Sequence, residues 1–273
     1  MTVKISITTE CGAKCKTCPV WTKKKETMSV DTFRLLWARV NSWPGVSKIF
    51  INSTGDVNAL ENKREYFNII EKLQGPPVSV TMNGRGFDYV PRVDTLIFSF
   101  NGSNKDNYEH TTGLDFDETV RNIKSKYQEI RERTKYREVN YLVWKDNAGG
   151  ESEFMDLWRD FPGILRIGYK CENQFGEYFG AMPGMEDEER IPCDYLDGIT
   201  IAPNCQVIRC AHDFDFSTSW GNALEDPIGK ILMNPDRIKL IEAHNRGDYP
   251  GLCESCNYNV STAGKYYYTK GAV

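Results

Sequence analysis

The chain contains 273 residues, of which 40% are hydrophobic, and its 34 basic and 38 acidic side chains give a net charge of -4. This length and apolar content suit one large α/β domain with a small appendage and a buried core. The slight negative charge argues against strong nonspecific nucleic-acid binding, although a single nucleotide remains open as a substrate. Because no apolar run approaches the ~20 residues of a membrane span and the N-terminus has no signal-peptide profile, we expect a cytoplasmic protein without a membrane partner.

Apolar, β-branched runs alternate with amphipathic stretches from Val3 to about Lys170, which is typical of repeated βα units and predicts a parallel sheet. The six predicted strands are Val3 to Thr9, Lys48 to Ser53, Val78 to Asn83, Thr95 to Phe100, Val139 to Trp144 and Leu165 to Lys170. The clearest predicted helices are Val30 to Trp43 after the cap Ser29, Glu65 to Leu73, Phe116 to Arg133 and Glu151 to Phe161. Six such units predict a partial (β/α)6 barrel, with reactive residues at the C-terminal strand ends.

The predicted barrel occupies residues 1–180, and residues 181–273 are expected to form a second, smaller unit. The acidic stretch from Glu186 to Glu189 looks like part of a solvated linker between them. The elements predicted in the second unit are a hairpin from Gly198 to Pro203 and Gln206 to Arg209, a helix from Asn234 to Arg246, and a capping strand at Tyr266 to Tyr268.

Three cysteines, Cys11, Cys15 and Cys18, follow the first predicted strand with the spacing C-x3-C-x2-C. Three thiolates on one short loop can hold three irons of a cubane 4Fe-4S cluster, and no fourth cysteine lies nearby in the sequence for the last iron. Such an open iron can bind a ligand. A zinc knuckle is the alternative, although zinc clips usually come as C-x2-C pairs with a closed fourth ligand.

This triplet at a strand end resembles the signature of the radical S-adenosylmethionine (SAM) superfamily. The resemblance implies a partial TIM-like barrel and an open iron that is chelated by the amino and carboxylate groups of SAM. It also implies a reduced flavodoxin- or ferredoxin-type protein as electron donor. One electron would then cleave SAM to methionine and a 5'-deoxyadenosyl radical, which abstracts hydrogen from a substrate.

Three later strand ends resemble further turns of this family and imply SAM-binding side chains. Ser53-Thr54-Gly55-Asp56 resembles its Gly-Gly-Glu turn, with Asp in place of Glu and Thr in place of Gly. Thr81-Met82-Asn83-Gly84 resembles its Thr-Asn-Gly turn, and Ser99-Phe100-Asn101-Gly102 its Ser-Leu-Asp-Gly turn. The cofactor-binding residues implied are Thr54, Gly55, Asp56, Thr81, Asn83, Ser99 and Asn101. Without the family, each turn is an ordinary βα loop.

A second set of cysteines lies toward the C-terminus, at Cys193, Cys210, Cys253 and Cys256. Two cysteines across a hairpin, followed by C-x2-C, resemble the Twitch module, a shortened SPASM domain that holds one auxiliary 4Fe-4S cluster. A structural zinc site with the same four thiolates remains open, because spacing does not separate the two. Cys205, in the hairpin turn, is either an alternative ligand or a buried spare thiol.

Cys171 and Glu172 are the candidate catalytic residues, because they follow the sixth predicted strand and should face the barrel mouth. A thiol there can donate hydrogen and a carboxylate can accept a proton. The alternative is a packed thiol and a solvated carboxylate. The three histidines are scattered; His212 follows Cys210 closely, whereas His110 and His244 form no pattern.

The resemblance therefore implies a radical SAM enzyme, either an oxidoreductase or an isomerase, that acts on a small-molecule or nucleoside-type substrate by dehydrogenation or isomerisation. An auxiliary cluster with four cysteine ligands has no open iron for substrate and suits electron relay in a net oxidation. The alternatives are an isomerase of viral DNA base hypermodification, a peptide (RiPP) maturase, and a non-catalytic Fe-S or zinc-binding module. A non-catalytic module would not need the SAM-site turns.

Overall fold

A computed structural model describes residues 1–72, 75–144, 146–169, 173–174, 177–178, 190–254, 256 and 267–269. The candidate catalytic residues Cys171 and Glu172 and the acidic linker stretch 186–189 lie outside the described residues. In the described part of the chain, no helix is both long and apolar enough to cross a membrane.

Six parallel strands in sequential order form the centre of one sheet. They are β1 (Thr2–Ile5), β2 (Lys48–Ile51), β3 (Val78–Met82), β4 (Val93–Ser99), β5 (Thr134–Val143) and β6 (Ile164–Tyr169). Each strand pairs in parallel with the next, from β1 to β6. All six overlap strands that the sequence predicted, and β5 begins at Thr134, five residues before its predicted start. The predicted parallel sheet of a mixed α/β fold is therefore confirmed.

Helices occupy four of the five connections between these strands; residues 83–92, which connect β3 to β4, form no helix and depart there from the predicted repeat of βα units. The helices are α1 (Val30–Ser42), α2 (Lys63–Lys72), α3 (Lys105–Thr112), α4 (Phe116–Lys124), α5 (Tyr127–Arg133) and α6 (Glu151–Leu157). The hydroxyl of Ser29 caps α1 as predicted, since its Oγ accepts a hydrogen bond from the Thr32 backbone N–H at 3.1 Å. The buried residues of α1 recur every three or four positions, which places them together against the sheet: Phe33, Leu36, Trp37 and Val40.

Two helix predictions need correction. The single helix expected from Phe116 to Arg133 is divided into α4 and α5, because Ser125 caps the first and Lys126 leaves helical geometry at φ -105° and ψ 8°. The sequence prediction also missed α3, whose one large buried apolar side chain is Tyr108. Its ends are nevertheless marked, by the capping side chain of Asn104 and by Gly113 with φ 68°.

Further strands extend the sheet at both edges. β9 (Ile199–Ile201) pairs in parallel with β1, and β10 (Val207–Ile208) pairs antiparallel with β9, which confirms the predicted hairpin. At the other edge, β11 (Tyr267–Thr269) pairs antiparallel with β6.

The remaining elements are the short strands β7 (Asn173–Gln174) and β8 (Glu177–Tyr178) and the helices α7 (Ile228–Leu232) and α8 (Pro235–Asn245). Helix α8 starts after its cap Asn234, as predicted.

The two faces of the sheet differ in polarity, because successive side chains of a strand point to opposite faces. One face contributes apolar side chains, such as Ile5, to the core beneath the helices. The other face carries polar side chains of β1 to β3 and borders a chamber of about 650 Å³. Residues around this chamber include Lys4, Phe50, Asn52, Ser53, Thr81 and Tyr195.

Gly55 allows the loop after β2 to pack directly against the chain that leaves β1. Its φ of 64° lies in the left-handed region, and a Cβ there would lie 2.1 Å from the Thr8 carbonyl oxygen and 2.8 Å from that of Glu10. Only glycine satisfies both constraints without a backbone shift.

We expect Gly55→Ala to lower the free energy of unfolding by more than Gly45→Ala. Both glycines have positive φ, so both alanines should cost about 1 kcal/mol in backbone strain. A Cβ at Gly45 would meet nothing within 4 Å, whereas at Gly55 it would meet backbone. The additional loss at Gly55 should be about 1–3 kcal/mol, measured by urea unfolding of the metal-free chain. Equal losses in the two variants would contradict this packing.

Candidate functional site

The loop after β1 carries the triplet cysteines Cys11, Cys15 and Cys18, all of them partly exposed. Helix α3 fixes this loop by two backbone hydrogen bonds. The Lys14 N–H donates to the Thr112 carbonyl at 2.8 Å, and the Lys16 N–H donates to the Thr111 carbonyl at 2.9 Å. The helix that the sequence prediction missed therefore positions the three thiols.

Three strand-end loops converge beside Cys11. The carboxylate of Asp56, 3% exposed, accepts hydrogen bonds from the backbone N–H of Asn83 at 2.8 Å and of Asn58 at 2.9 Å. The backbone N–H of Asp56 donates to the Glu10 carbonyl at 2.7 Å. The side-chain amide of Asn83 in turn donates to Cys11 Sγ at 3.6 Å. The structure thus brings Cys11, Asp56 and Asn83 together, as the strand-end pattern predicted.

The Asp56 carboxylate is hydrogen-bonded to backbone N–H groups in this structure. Burial raises the pKa of its carboxyl to about 6, and the two backbone N–H donors oppose that shift. Each oxygen of a carboxylate has a second lone pair, so a contact with the SAM amino group stays a prediction. What the geometry itself assigns to Asp56 is the alignment of the loops after β2 and β3 with the cysteine loop.

The other predicted cofactor-binding residues occupy different positions. Thr54 is 4% exposed, and its hydroxyl has no hydrogen-bond partner among the described residues. Thr81 borders the chamber. Ser99, at the end of β4, lies opposite Asn140 of β5. Asn101 has φ 53°, and its side-chain oxygen accepts a hydrogen bond from the Leu142 N–H at 3.0 Å, which ties this turn to β5.

The structure brings the second cysteine set together around one cavity, which is bordered by Cys193, Cys210, Cys253 and Cys256. Arg209 Nη1 donates to Cys253 Sγ at 3.3 Å. Burial, with smaller effects of Asp194 and of the neighbouring thiols, raises the pKa of the Cys193 thiol to about 12, and a hydrogen bond from the Tyr195 backbone opposes this shift. Burial also raises the pKa of the Cys210 thiol. Cys205 instead packs in the hydrophobic core, with φ 67°.

The donor set of this cavity fits a metal-sulfur centre. Buried thiols with raised pKa values ionise readily only when a cation binds them, and thiolates are the preferred ligands of iron-sulfur clusters and zinc. The space between the side chains is about 20 Å³, so a cubane would need the thiols to rotate outward. Among the described residues, no three His, Cys, Asp or Glu side chains are arranged to hold a single ion.

Lys4 and Tyr195 lie between the polar chamber and the second cysteine set. The Lys4 ammonium lies 3.4 Å from the centre of the Tyr195 ring. Burial lowers the pKa of Lys4, while Asp194 and the thiols of Cys210 and Cys193 oppose this shift. Tyr195 borders both cavities. The chamber extends along the strands from Thr2 and Ser47 to the strand ends at Ser53 and Thr81, and Tyr195 lies between it and the second cysteine set.

Sequence reasoning missed the cationic and imidazole side chains around the second cysteine set. Arg190, Arg209 and His244 border this cavity together with His212, whose place near Cys210 the sequence did suggest. Arg190 stacks over Tyr249 at 3.8 Å. The sequence signal that could have identified His244 as buried is its helical spacing from Arg237 and Leu240, which share the buried side of α8.

No protein-family model and no curated protein matches the chain. Solved structures do match. SuiB from Streptococcus suis has a TM-score of 0.69 at 11% identity, covering 89% of this chain and 67% of its own. BtrN in complex with AdoMet and 2-DOIA has a TM-score of 0.59 at 15% identity, covering 98% of both chains. anSMEcpe with bound AdoMet and Cp18Cys peptide has a TM-score of 0.64 at 13% identity, covering 89% of this chain and 83% of its own. The chain shares the fold of these proteins.

We expect Asp56→Asn to remove one component of the pH dependence of stability. The folded pKa, about 6, lies above the ordinary value of 3.8, so folding favours the protonated carboxyl. This stabilisation is complete below about pH 4 and is lost as the pH rises through about 6, by roughly 3 kcal/mol. When both metal-free chains are unfolded in urea from pH 4 to pH 7, the free energy of unfolding should fall further in the unsubstituted chain than in Asp56→Asn. Parallel curves would contradict the raised pKa.

Proposed function

We propose that this chain is a radical SAM enzyme that binds SAM and a 4Fe-4S cluster at the loop after β1. The observation that carries the proposal is the convergence of the C-x3-C-x2-C loop with the ends of β2 and β3, where Asn83 contacts Cys11. Structural neighbours solved with SAM or AdoMet support it, because they have the same fold.

In this proposal Cys11, Cys15 and Cys18 ligate three irons and leave the fourth to SAM. When bound, the cluster supplies the electron that cleaves SAM to methionine and a 5'-deoxyadenosyl radical. The buried hydroxyl of Thr54 offers a hydrogen bond to the bound SAM. Asn83 holds Cys11 in position. The remaining cofactor-binding residues proposed are Gly55, Asp56, Thr81, Ser99 and Asn101.

The substrate proposed is a small molecule or nucleoside that undergoes dehydrogenation or isomerisation in the polar chamber. The volume of about 650 Å³ lies in the range of small-molecule sites. The match to BtrN, solved with 2-DOIA and covered over 98% of both chains, favours this class. Cys171 and Glu172, outside the described residues, are proposed to donate hydrogen and accept a proton.

A peptide substrate is the second candidate. SuiB was solved bound to its precursor peptide SuiA, and anSMEcpe with the Cp18Cys peptide. The two candidates differ in which backbone amides they should protect from hydrogen exchange. A bound small molecule should slow exchange only in the walls of the chamber, whereas a bound peptide should also slow exchange at the surface beyond it. Hydrogen exchange of the loaded enzyme with each substrate class separates them.

The second cysteine set is proposed to hold an auxiliary 4Fe-4S cluster in a Twitch-like unit of residues 181–273. With four thiolate ligands, its role would be to accept an electron from the substrate radical. The position of Lys4 and Tyr195 between chamber and cysteines supports this role. A reduced flavodoxin- or ferredoxin-type protein is proposed as the electron donor to the first cluster.

Anaerobic reconstitution should give about eight irons and eight sulfides per chain, because two independent cysteine sets are present. Cys15→Ala and Cys210→Ala should each remove about half of the iron and sulfide. Cys205→Ala should keep both clusters, because the Cys205 side chain packs in the core. Iron and sulfide analysis measures this. Zinc in place of iron at the second set, or four irons in the unsubstituted chain, would overturn the auxiliary cluster.

The reconstituted, dithionite-reduced chain should slowly convert SAM to 5'-deoxyadenosine without substrate. Cys15→Ala should abolish this conversion, because one iron loses its ligand, and Cys205→Ala should preserve it. Chromatography of the quenched reaction gives the yield. If the fully loaded chain forms no 5'-deoxyadenosine, the enzyme assignment is wrong.

A further inference from the structure

His244 is a buried imidazole whose hydrogen-bonding capacity is unused within the described part of the chain. It lies on α8 and is 2% exposed, yet neither Nδ1 nor Nε2 has a hydrogen-bond partner there. Buried polar groups are usually paired, so both ring nitrogens retain the capacity to hydrogen-bond a group bound beside them. Tyr249 packs against the ring edge at 4.8 Å between centroids and fixes its plane.

The unpaired ring borders the cavity of the second cysteine set. Two guanidinium groups also lie there. Arg209 donates to Cys253 Sγ at 3.3 Å, and Arg190 donates to the backbone carbonyls of Cys253 and Glu254. None of the described residues around this cavity is a carboxylate. The side-chain acceptors that border this cavity include the four cysteine sulfurs and the Tyr195 hydroxyl, and Asp248, whose charge reaches the ring, does not border it.

We propose that His244 donates a hydrogen bond to a sulfur of the centre held by Cys193, Cys210, Cys253 and Cys256, and thereby raises its reduction potential. This inference rests on the auxiliary cluster of the proposed function. Four thiols already supply one ligand for each of four irons, which leaves the imidazole the role of a donor. Hydrogen bonds to the sulfurs stabilise the reduced state, because one-electron reduction adds negative charge to the cluster.

A higher potential suits the function proposed for this cluster. An acceptor of the substrate electron must be reducible by a carbon radical and then pass the electron onward. His244, together with Arg209, places donors around the sulfurs and so favours the reduced form. His244 is therefore a positioning residue that acts through the cluster and does not touch the substrate.

The test is a potentiometric titration, followed by EPR, of the anaerobically reconstituted full chain. In His244→Leu the ratio of reduced to oxidised auxiliary cluster at a fixed potential should fall at least tenfold, which is about 59 mV for one electron. His244→Asn and His244→Gln place an N–H near the positions of Nδ1 and Nε2, and one of them should restore the ratio. His110→Leu, which removes an exposed histidine on α3, should leave the auxiliary potential unchanged.

Iron and sulfide analysis of the same samples separates the two claims. Absence of an auxiliary cluster in the unsubstituted chain overturns the proposed function. A loaded cluster with equal potentials in the unsubstituted chain and His244→Leu overturns the role of His244. If His244→Leu does not retain its cluster, pulsed EPR of a ¹⁵N-histidine-labelled His212→Leu chain decides. A weak ¹⁵N coupling to the auxiliary cluster supports the hydrogen bond, and its absence overturns it.

Discussion

The buried carboxylate of Asp56 joins the three loops on which the candidate site depends. It accepts hydrogen bonds from the backbone of its own loop at Asn58 and of the loop after β3 at Asn83, while its N–H binds the Glu10 carbonyl just before the cysteines. The aspartate side chain is short enough to cap the turn Val57–Ala59. Because a buried carboxylate is costly without such donors, the loops and the carboxylate stabilise one another.

The order of the strands connects this loop cluster with the second cysteine set. β9 pairs with β1, so the segment that carries Cys193 and Tyr195 runs beside the strand that leads into the triplet. Lys4, on the polar face of β1, reaches Tyr195. A single chamber thus borders strand ends that are proposed to bind SAM and a segment that is proposed to hold a second cluster. The proposed radical oxidation with internal electron transfer would make use of this arrangement.

Features with a local signal could be predicted from the sequence. The cap at Ser29 and the apolar spacing of α1 indicated its bounds, and the positions of Asp56 and Asn83 after their strands indicated that both lie at the same edge of the sheet as Cys11, while their binding of SAM stays a prediction. Apolar periodicity wrongly predicted one continuous helix from Phe116 to Arg133, because Ile123 and Tyr127 continue the apolar spacing across the break between α4 and α5. Capping at Ser125 ends the first helix there.

Tertiary features escaped prediction. α3 has little apolar periodicity, and its role in holding the cysteine loop appears only through backbone bonds at Thr111 and Thr112. His244 shares the buried side of α8 with Arg237 and Leu240, but this spacing does not show that the ring lies beside the cysteines, because α8 brings it there only when the chain is folded.

The central claim is that the triplet loop leaves one iron open to SAM. Electron-nuclear double resonance of the reduced, cluster-loaded chain with SAM labelled at the amino nitrogen and carboxylate oxygen measures this directly. The account predicts hyperfine coupling of both labelled atoms to the N-terminal cluster, and loss of both couplings in Cys15→Ala. A loaded cluster whose spectrum shows no coupling at saturating SAM would contradict the account.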